Sequence, residues 1–210
     1  MRKLLFIVTI GLISSITLSA KKIDGKILFE NDTVDVIFKI PFKLLTQEPN
    51  YEKIQSKIKY YDSNGNKITL KPSQAKEIRF NDGFFEVRML SRYNSLGLGG
   101  LFSIHNYIFL KLETDGYLKL FRYYYTQHSA GTYNSTTGTM TGGYSYNVES
   151  YILQKGDSEL VRPSGYMFRK DMKEYFSDCP ELSKKIEDRE LRKDDMESIV
   201  RYYHLHCGKK

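Results

Sequence analysis

The chain has 210 residues, with 32 Lys and Arg against 25 Asp and Glu, for a formal net charge of +7. The two signs are interspersed along the chain, which describes a solvated surface rather than the clustered basic face that a nucleic acid requires. Beyond residue 20 no apolar stretch is long enough to span a bilayer, so the body is expected to carry no membrane span.

The first residues read MRKLLFIVTIGLISSITLSA. Arg2 and Lys3 precede an apolar run over 4–18, and the small pair Ser19-Ala20 stands just before Lys21 and Lys22. A short basic start, an apolar stretch and a small residue at the break predict a signal peptide over residues 1–20, cleaved near Ala20. An uncleaved anchor fits less well, because the run falls short of the ~20 residues that span a bilayer and Ser14, Ser15 and Thr17 interrupt it. Removal of Arg2 and Lys3 lowers the formal charge from +7 to about +5. The expected location is secreted or periplasmic.

Residues 21–165 are expected to form a β-rich domain. In TVDVIFKIPF the residues Val34, Val36, Phe38 and Ile40 share one side of an extended chain, with Asp35 and Lys39 on the other. KIKYYDSNGNKITL predicts a hairpin, with Ile58 and Tyr60 leading into Asn64-Gly65 and Ile68 and Leu70 leading out. Pro72 ends that strand. Further strands are predicted in KEIRF, FFEVRMLSRY, HNYIFLKLET, YLKLFRYYYT and YNVESYILQK. About eight strands with short turns predict a mainly β fold, an antiparallel meander closing into a sandwich or a curved sheet.

Two stretches break the strand rhythm: the glycine-rich connector NSLGLGGLFS and the polar segment HSAGTYNSTTGTMTGGYS, residues 128–145. The second is expected to be a mobile hairpin loop. Loops displayed on a rigid sheet carry binding function, so His128, Tyr133 and Tyr144 mark a candidate binding loop; a dispensable insertion is the alternative.

Residues 166–210 change to helical period and are expected to form a C-terminal helical appendage packed on the sheet. Phe168, Met172, Tyr175 and Phe176 give a first amphipathic helix, and Asp178 and Pro180 open a second that carries Leu182 and Ile186. Asp194 with Glu197 resembles the cap of a third, whose stripe is Met196, Ile199, Val200 and Tyr203, and Glu197 is placed to pair with Arg201.

The only cysteines, Cys179 and Cys207, stand at the start of the second helix and the end of the third. In an oxidising compartment they are expected to form a structural disulfide, worth roughly 3–4 kcal/mol for a closed loop of about 29 residues. A zinc site built with His204 and His206 is the rival. Those two rings lie ~200° apart on a helix at ~100° per residue, so they do not face one ion. Free thiols are the third possibility.

Recognisable catalytic patterns are missing. There is no Gly-x-Ser-x-Gly, His-Glu-x-x-His or phosphate loop, and Gly97-Leu98-Gly99 lacks the third glycine of a dinucleotide fingerprint. His105 and His128 stand alone. Seventeen Tyr and twelve Phe without Trp are read mainly as core and cross-strand packing, with sugar stacking as the lesser option. No catalytic residue, metal or cofactor is assigned.

The order of GKILFENDTVDVIFKI, IKYYDSNGNKITLKPSQAKEIRF, GYLKLFRYYY, SYILQKGDSELVR, FRKDMKEYFSDCPELSKKI and DDMESIVRYYHLHC resembles a group of uncharacterised secreted proteins of Bacteroidota. Shared elements are the Pro-x-x-x-x-x-Ile-x-Phe segment from Pro72 to Phe80, Asp-Cys-Pro at 178–180 and Ile-Val-x-x-Tyr at 199–203. His204 stands where the pattern leads to Asn. The resemblance covers nearly all of residues 21–210 and implies an envelope location and this architecture, with no activity attached. The resulting expectation is an exported, non-enzymatic binding or accessory protein of the cell envelope, with an unknown protein or glycan partner. A secreted hydrolase whose site is dispersed in sequence is the alternative.

Overall fold

The computed structural model describes residues 20–44, 46–98, 106–163 and 165–208. Residues 1–19 of the predicted signal peptide, His105 and half of the glycine-rich connector, 99–103, lie outside them.

The hairpin between β1 (Ala20–Leu28) and β2 (Thr33–Pro41) starts the sheet. Alternation along β2 buries Val36, Phe38 and Ile40, whereas Val34 beside the β1–β2 turn stays partly exposed. A short helix α1 (Tyr51–Ser56) then intervenes, and β3 (Ile58–Tyr61) and β4 (Lys67–Leu70) form the expected hairpin. Gly65 takes a φ of 79°, the left-handed conformation that this turn demands. Pro72 opens a 3-10 turn directly after β4.

Next come β5 (Glu77–Asn81), β6 (Glu86–Tyr93), β7 (Tyr107–Thr114) and β8 (Leu118–His128). A small ribbon of β9 (Thr132–Asn134) and β10 (Thr139–Thr141) precedes β11 (Ser145–Lys155). The result is mainly β: nine antiparallel strands in the order β11-β8-β7-β6-β5-β1-β2-β3-β4, with β9 and β10 paired separately.

The sheet bends around α1, which touches β2 and β3 on one wing and β7 and β8 on the other. This opposes the two wings in a sandwich-like arrangement. The inner face gathers Ile27, Phe38, Ile58, Ile78, Met89, Phe109 and Tyr124 around Tyr51 and Ile54 of α1. At full burial each such side chain contributes about 1.5–3 kcal/mol.

The bend depends on two polar side chains of α1. The β7–β8 ladder ends at Arg122, leaving the edge of β8 beyond it without a strand neighbour on that side. Gln55, almost fully buried, takes the neighbour's place: its Nε2 donates to the Tyr124 carbonyl at 2.8 Å, and its Oε1 accepts from the Tyr124 N–H at 2.8 Å. One turn earlier, Glu52 accepts from Thr126 N at 3.0 Å and from Thr126 Oγ1 at 2.8 Å.

Beyond β11 lie α2 (Phe168–Tyr175), α3 (Pro180–Glu187) and α4 (Met196–His206). The predicted stripes are buried: Phe168, Met172, Phe176, Leu182, Ile186, Met196, Ile199, Val200 and Tyr203 form a second core on Leu118, Leu120 and Leu153 of the sheet. Pro180 occupies the first turn of α3. Asp178 does not cap that helix; it accepts from Lys155 Nζ and Tyr203 Oη, each at 2.6 Å. The start of α4 also differs from expectation. A 3-10 turn runs straight into it, and Asp195 folds back to accept from Arg192 N at 2.8 Å.

Cys179 and Cys207 form a disulfide with a Cα–Cα separation of 5.5 Å. Replacing either with Ser is expected to lower the melting temperature of oxidised protein, for a loss of about 3 kcal/mol, and to leave reduced protein nearly unchanged. Thermal melts with and without reductant check this, and equal melting of the parent under both conditions contradicts it. Gln55→Leu keeps the volume but strands both backbone groups of Tyr124. It is expected to cost about 2–4 kcal/mol, read as a lower urea midpoint.

Candidate functional site

The predicted binding loop is a strand-paired arm. Hairpin β8–β11 is in register from Leu118↔Lys155 to His128↔Ser145, and Ser129 N donates to Tyr144 O at 2.8 Å just beyond it. The β9–β10 ribbon continues outward with Tyr133 opposite Met140. Between the two ladders the chains pass very closely at Gly131 and Gly143. A Cβ on Gly143 would collide with the Ser129 carbonyl, and one on Gly131 would lie 2.8 Å from the Thr141 carbonyl. Glycine is therefore what allows the arm to continue the hairpin.

The three candidate residues do not converge on one point. His128 sits at the arm's root, where Nδ1 lies 2.7 Å from Ser145 Oγ. Tyr133 is on the ribbon, exposed to 63%. Tyr144 stands just ahead of β11 at 66% exposure and stacks on Tyr146, with ring centroids 5.9 Å apart. Met140, 74% exposed, was not singled out in the sequence. It becomes visible only through its register partner, Tyr133. The arm thus exposes two apolar pairs, Tyr133 with Met140 on the ribbon and Tyr144 with Tyr146 at its root.

The aromatic strand YLKLFRYYYT packs on both faces. Leu118, Leu120 and Tyr124 are buried on the inner face, and Phe121 and Tyr123 on the outer. Tyr117, ahead of the strand, is 40% exposed. Tyr123 stacks on Tyr125 with centroids 5.4 Å apart, and Tyr125 Oη accepts from Arg162 Nη2 at 2.9 Å.

At the C-terminal staple both sulfurs are taken by the disulfide, and the histidines have separate tasks. His204 Nε2 lies 2.8 Å from the Leu118 carbonyl, joining α4 to β8, and His206 packs on Tyr202 at 4.3 Å between centroids. Among the described residues no group of three or more His, Cys, Asp or Glu is placed to hold a metal ion.

Two charged clusters were not foreseen. On the inner face, between the two apolar cores, Arg122 Nη1 donates to Glu149 at 2.7 Å. Its Nη2 reaches Tyr151 Oη at 3.2 Å and Glu197 at 3.3 Å. Arg122 Nε lies 3.0 Å from Glu113 but off the N–H direction, so that contact is ionic without being a hydrogen bond. Glu197 is thus spent on Arg122 and Tyr151, and the predicted pair with Arg201 is not formed among the described residues. Burial disfavours the Arg122 charge, but the Glu149 hydrogen bond and the Glu113 charge outweigh it and raise its pKa. Burial pushes the Tyr51 and Tyr124 hydroxyls well above the ordinary tyrosine value. Arg122, Tyr51 and Tyr124 therefore keep their protons near neutrality, and the Arg122 contacts tie α4 to the sheet.

On the outer face Glu77, only 7% exposed, accepts from Arg79 Nε and Arg88 Nε, each at 2.6 Å, and Arg88 also donates to Asp115 at 2.8 Å. An open groove of about 620 Å³ crosses β1, β2, β3 and β5 beside it, lined by charges of both signs including Asp24, Lys26, Asp35 and Arg79.

Compared with known proteins, the chain matches no family model, no curated protein and no solved structure.

The Glu77 cluster predicts an acid sensitivity. Burial raises the Glu77 pKa, but the hydrogen bonds and charges of Arg88 and Arg79 more than offset this and hold it below its ordinary 4.5. A depressed folded-state pKa means that its stabilisation is complete above 4.5 and is lost as pH falls through the folded value. Glu77→Gln is expected to cost about 2 kcal/mol at neutral pH, less than a fully enclosed pair because Arg88 keeps contact with water. It should also flatten the stability profile below that pH. Urea midpoints measured across the acid range check both effects.

Proposed function

We propose that this chain is an exported, non-enzymatic protein of the bacterial envelope that binds a protein partner through the aromatic arm of β9 and β10. The observation that carries the reading is the arm itself. It is a strand-paired projection from the β8–β11 hairpin that presents Tyr133 and Met140 to solvent, with Tyr144 and Tyr146 exposed at its root. Tyr and Met are enriched at protein interfaces, Tyr because it covers apolar area at low entropic cost and Met because it adapts its shape, and exposed apolar side chains so grouped mark interaction surfaces. Met140 favours a protein over a sugar ring, since a flexible thioether adapts to a side-chain surface but gives a sugar no flat platform.

Export rests on the basic and apolar pattern over 1–20, which predicts a signal peptide. The disulfide, and the finding that no described helix is long and apolar enough to cross a membrane, are compatible with a periplasmic or extracellular location.

A photo-crosslinking residue at position 133 in living cells tests the arm, with position 189 on the helical appendage as control. The expected result is one reproducible adduct at 133 that is absent at 189, with Tyr144→Ser and Met140→Ser together weakening the purified pair about 100-fold. An adduct pattern common to both positions, or insensitive to those substitutions, refutes the reading. The intact mass of native protein tests export: cleavage near Ala20 with loss of two hydrogens is expected, and retention of residues 1–20 contradicts it.

A further inference from the structure

The strand register places lysines opposite lysines. Lys22 of β1 pairs directly with Lys39 of β2, and Lys39 pairs directly with Lys59 of β3. Direct cross-strand partners lie on the same face with Cβ atoms about 5 Å apart, and like charges so placed repel. Two rungs that join β1 to β2 show the contrast. Lys26 stands opposite Asp35 in the same register, with Nζ 3.6 Å from the carboxylate. The lysine row has no such relief. None of Lys22, Lys39 and Lys59 makes an ion pair among the described residues; Lys22 rests over the Tyr61 ring, 4.6 Å from its centroid.

A second feature coincides with the row. Lys53 of α1 and Lys57 at its C-terminal boundary join Lys39 and Lys59 around a groove of about 310 Å³, whose floor includes Pro41 and Ile58. That volume is at the lower end of the range for small-ligand pockets. No carboxylate lines this groove, in contrast to the mixed-charge groove farther along the same face. A concavity with four lysines, an apolar floor and an adjoining row of unrelieved like charge is complementary to a ligand that repeats its negative charge.

We infer that the Lys22–Lys39–Lys59 row and the adjoining groove bind a linear acidic polysaccharide, with a carboxylate or sulfate on successive sugars. Neighbouring strands are about 4.8 Å apart, so the lysine stems are rooted at a repeat comparable with one sugar residue of an extended glycan. Lysines are point charges on flexible stems, suited to anions whose orientation varies along a chain. The groove contains no arginine, the residue whose fork is built for bidentate capture of a single phosphate. Pro41 and the Tyr61 ring supply apolar surface for sugar faces. This surface is on the wing opposite the aromatic arm in the strand order, so it stands or falls independently of the partner proposed there.

Calorimetric titration of the full-length protein with a short oligogalacturonate tests the inference, with a neutral oligosaccharide of equal length, anionic lipid vesicles and single-stranded DNA in parallel. The acidic oligosaccharide is expected to bind at low salt, to weaken as salt rises, and to lose about tenfold in affinity for each of Lys39→Gln and Lys59→Gln. Lys39→Arg, which keeps the charge, and Lys26→Gln, which lies outside the groove, should bind as the parent does. Because the Gln variants relieve repulsion, they should melt no lower than the parent. Should either fail to fold, Lys53→Gln with Lys57→Gln at the rim gives the same reading. Absence of binding at low salt, affinity that survives the lysine substitutions, or tighter binding to vesicles or DNA than to the oligouronate overturns the inference.

Discussion

A single side-chain amide makes this fold possible. Where β8 leaves β7 after Arg122, its backbone would face the interior with open donors and acceptors, a cost of about 1–3 kcal/mol for each group left unsatisfied. Gln55 supplies one acceptor and one donor in the geometry of a neighbouring strand, and Glu52 supplies acceptors to the N–H and the hydroxyl of Thr126. A helix of only six residues thereby serves as the missing strand. Freed from lateral pairing, the outer part of β8 can diverge, and the sheet can close on α1 so that Tyr51 stacks on Tyr124 at 4.8 Å between centroids. The inner core, the opposed wings and the projecting arm all follow from that departure.

The helical appendage answers a second constraint. Leu118, Leu120 and Leu153 face inward beyond the reach of α1, and they need a cover. Helices α2 to α4 provide it, but each is short, and such helices are marginal without tertiary support. Three ties from different parts of the chain hold them: the disulfide closes the helices on themselves, Asp178 joins Lys155 of β11 to Tyr203 of α4, and His204 meets the Leu118 carbonyl. The Arg122 cluster bridges this second core to the first. Its carboxylates come from β7, β11 and α4, so they converge only after all three elements are in place.

What the sequence discloses and what it conceals separate along local and non-local lines. The Asn64-Gly65 hairpin, the β2 alternation, the three helical stripes and the pairing of the only two cysteines were legible because each signal lies within a few residues or follows from there being just one partner. α1 was not. Asn50 accepts from Lys53 N as an N-cap, and Tyr51, Ile54 and Gln55 share a helical face, but six residues after Pro49 are too few for periodicity to emerge. The fate of Glu197 shows the opposite limit: a sound local pairing with Arg201 yields to Arg122, which is 75 residues away in sequence. The arm was visible only as composition, since the polar small-residue run concealed two short strands and the glycines that bring them together.

Cross-strand register is the property least visible in sequence, and it separates the two outward surfaces of this protein. At the arm, register opposes Tyr133 to Met140 and concentrates apolar area in a projection that adds nothing to either core. On the other wing, register opposes lysine to lysine across three strands, although the Lys26–Asp35 rung shows that the same hairpin accommodates an attractive pair. Both arrangements cost folded-state stability, one through exposed apolar area and the other through repulsion. The cores, the disulfide and the Gln55 substitution for a strand carry that cost. If both proposals hold, the two departures sit on separate wings, so an acidic glycan and a protein partner would be held by surfaces that share no strand rung.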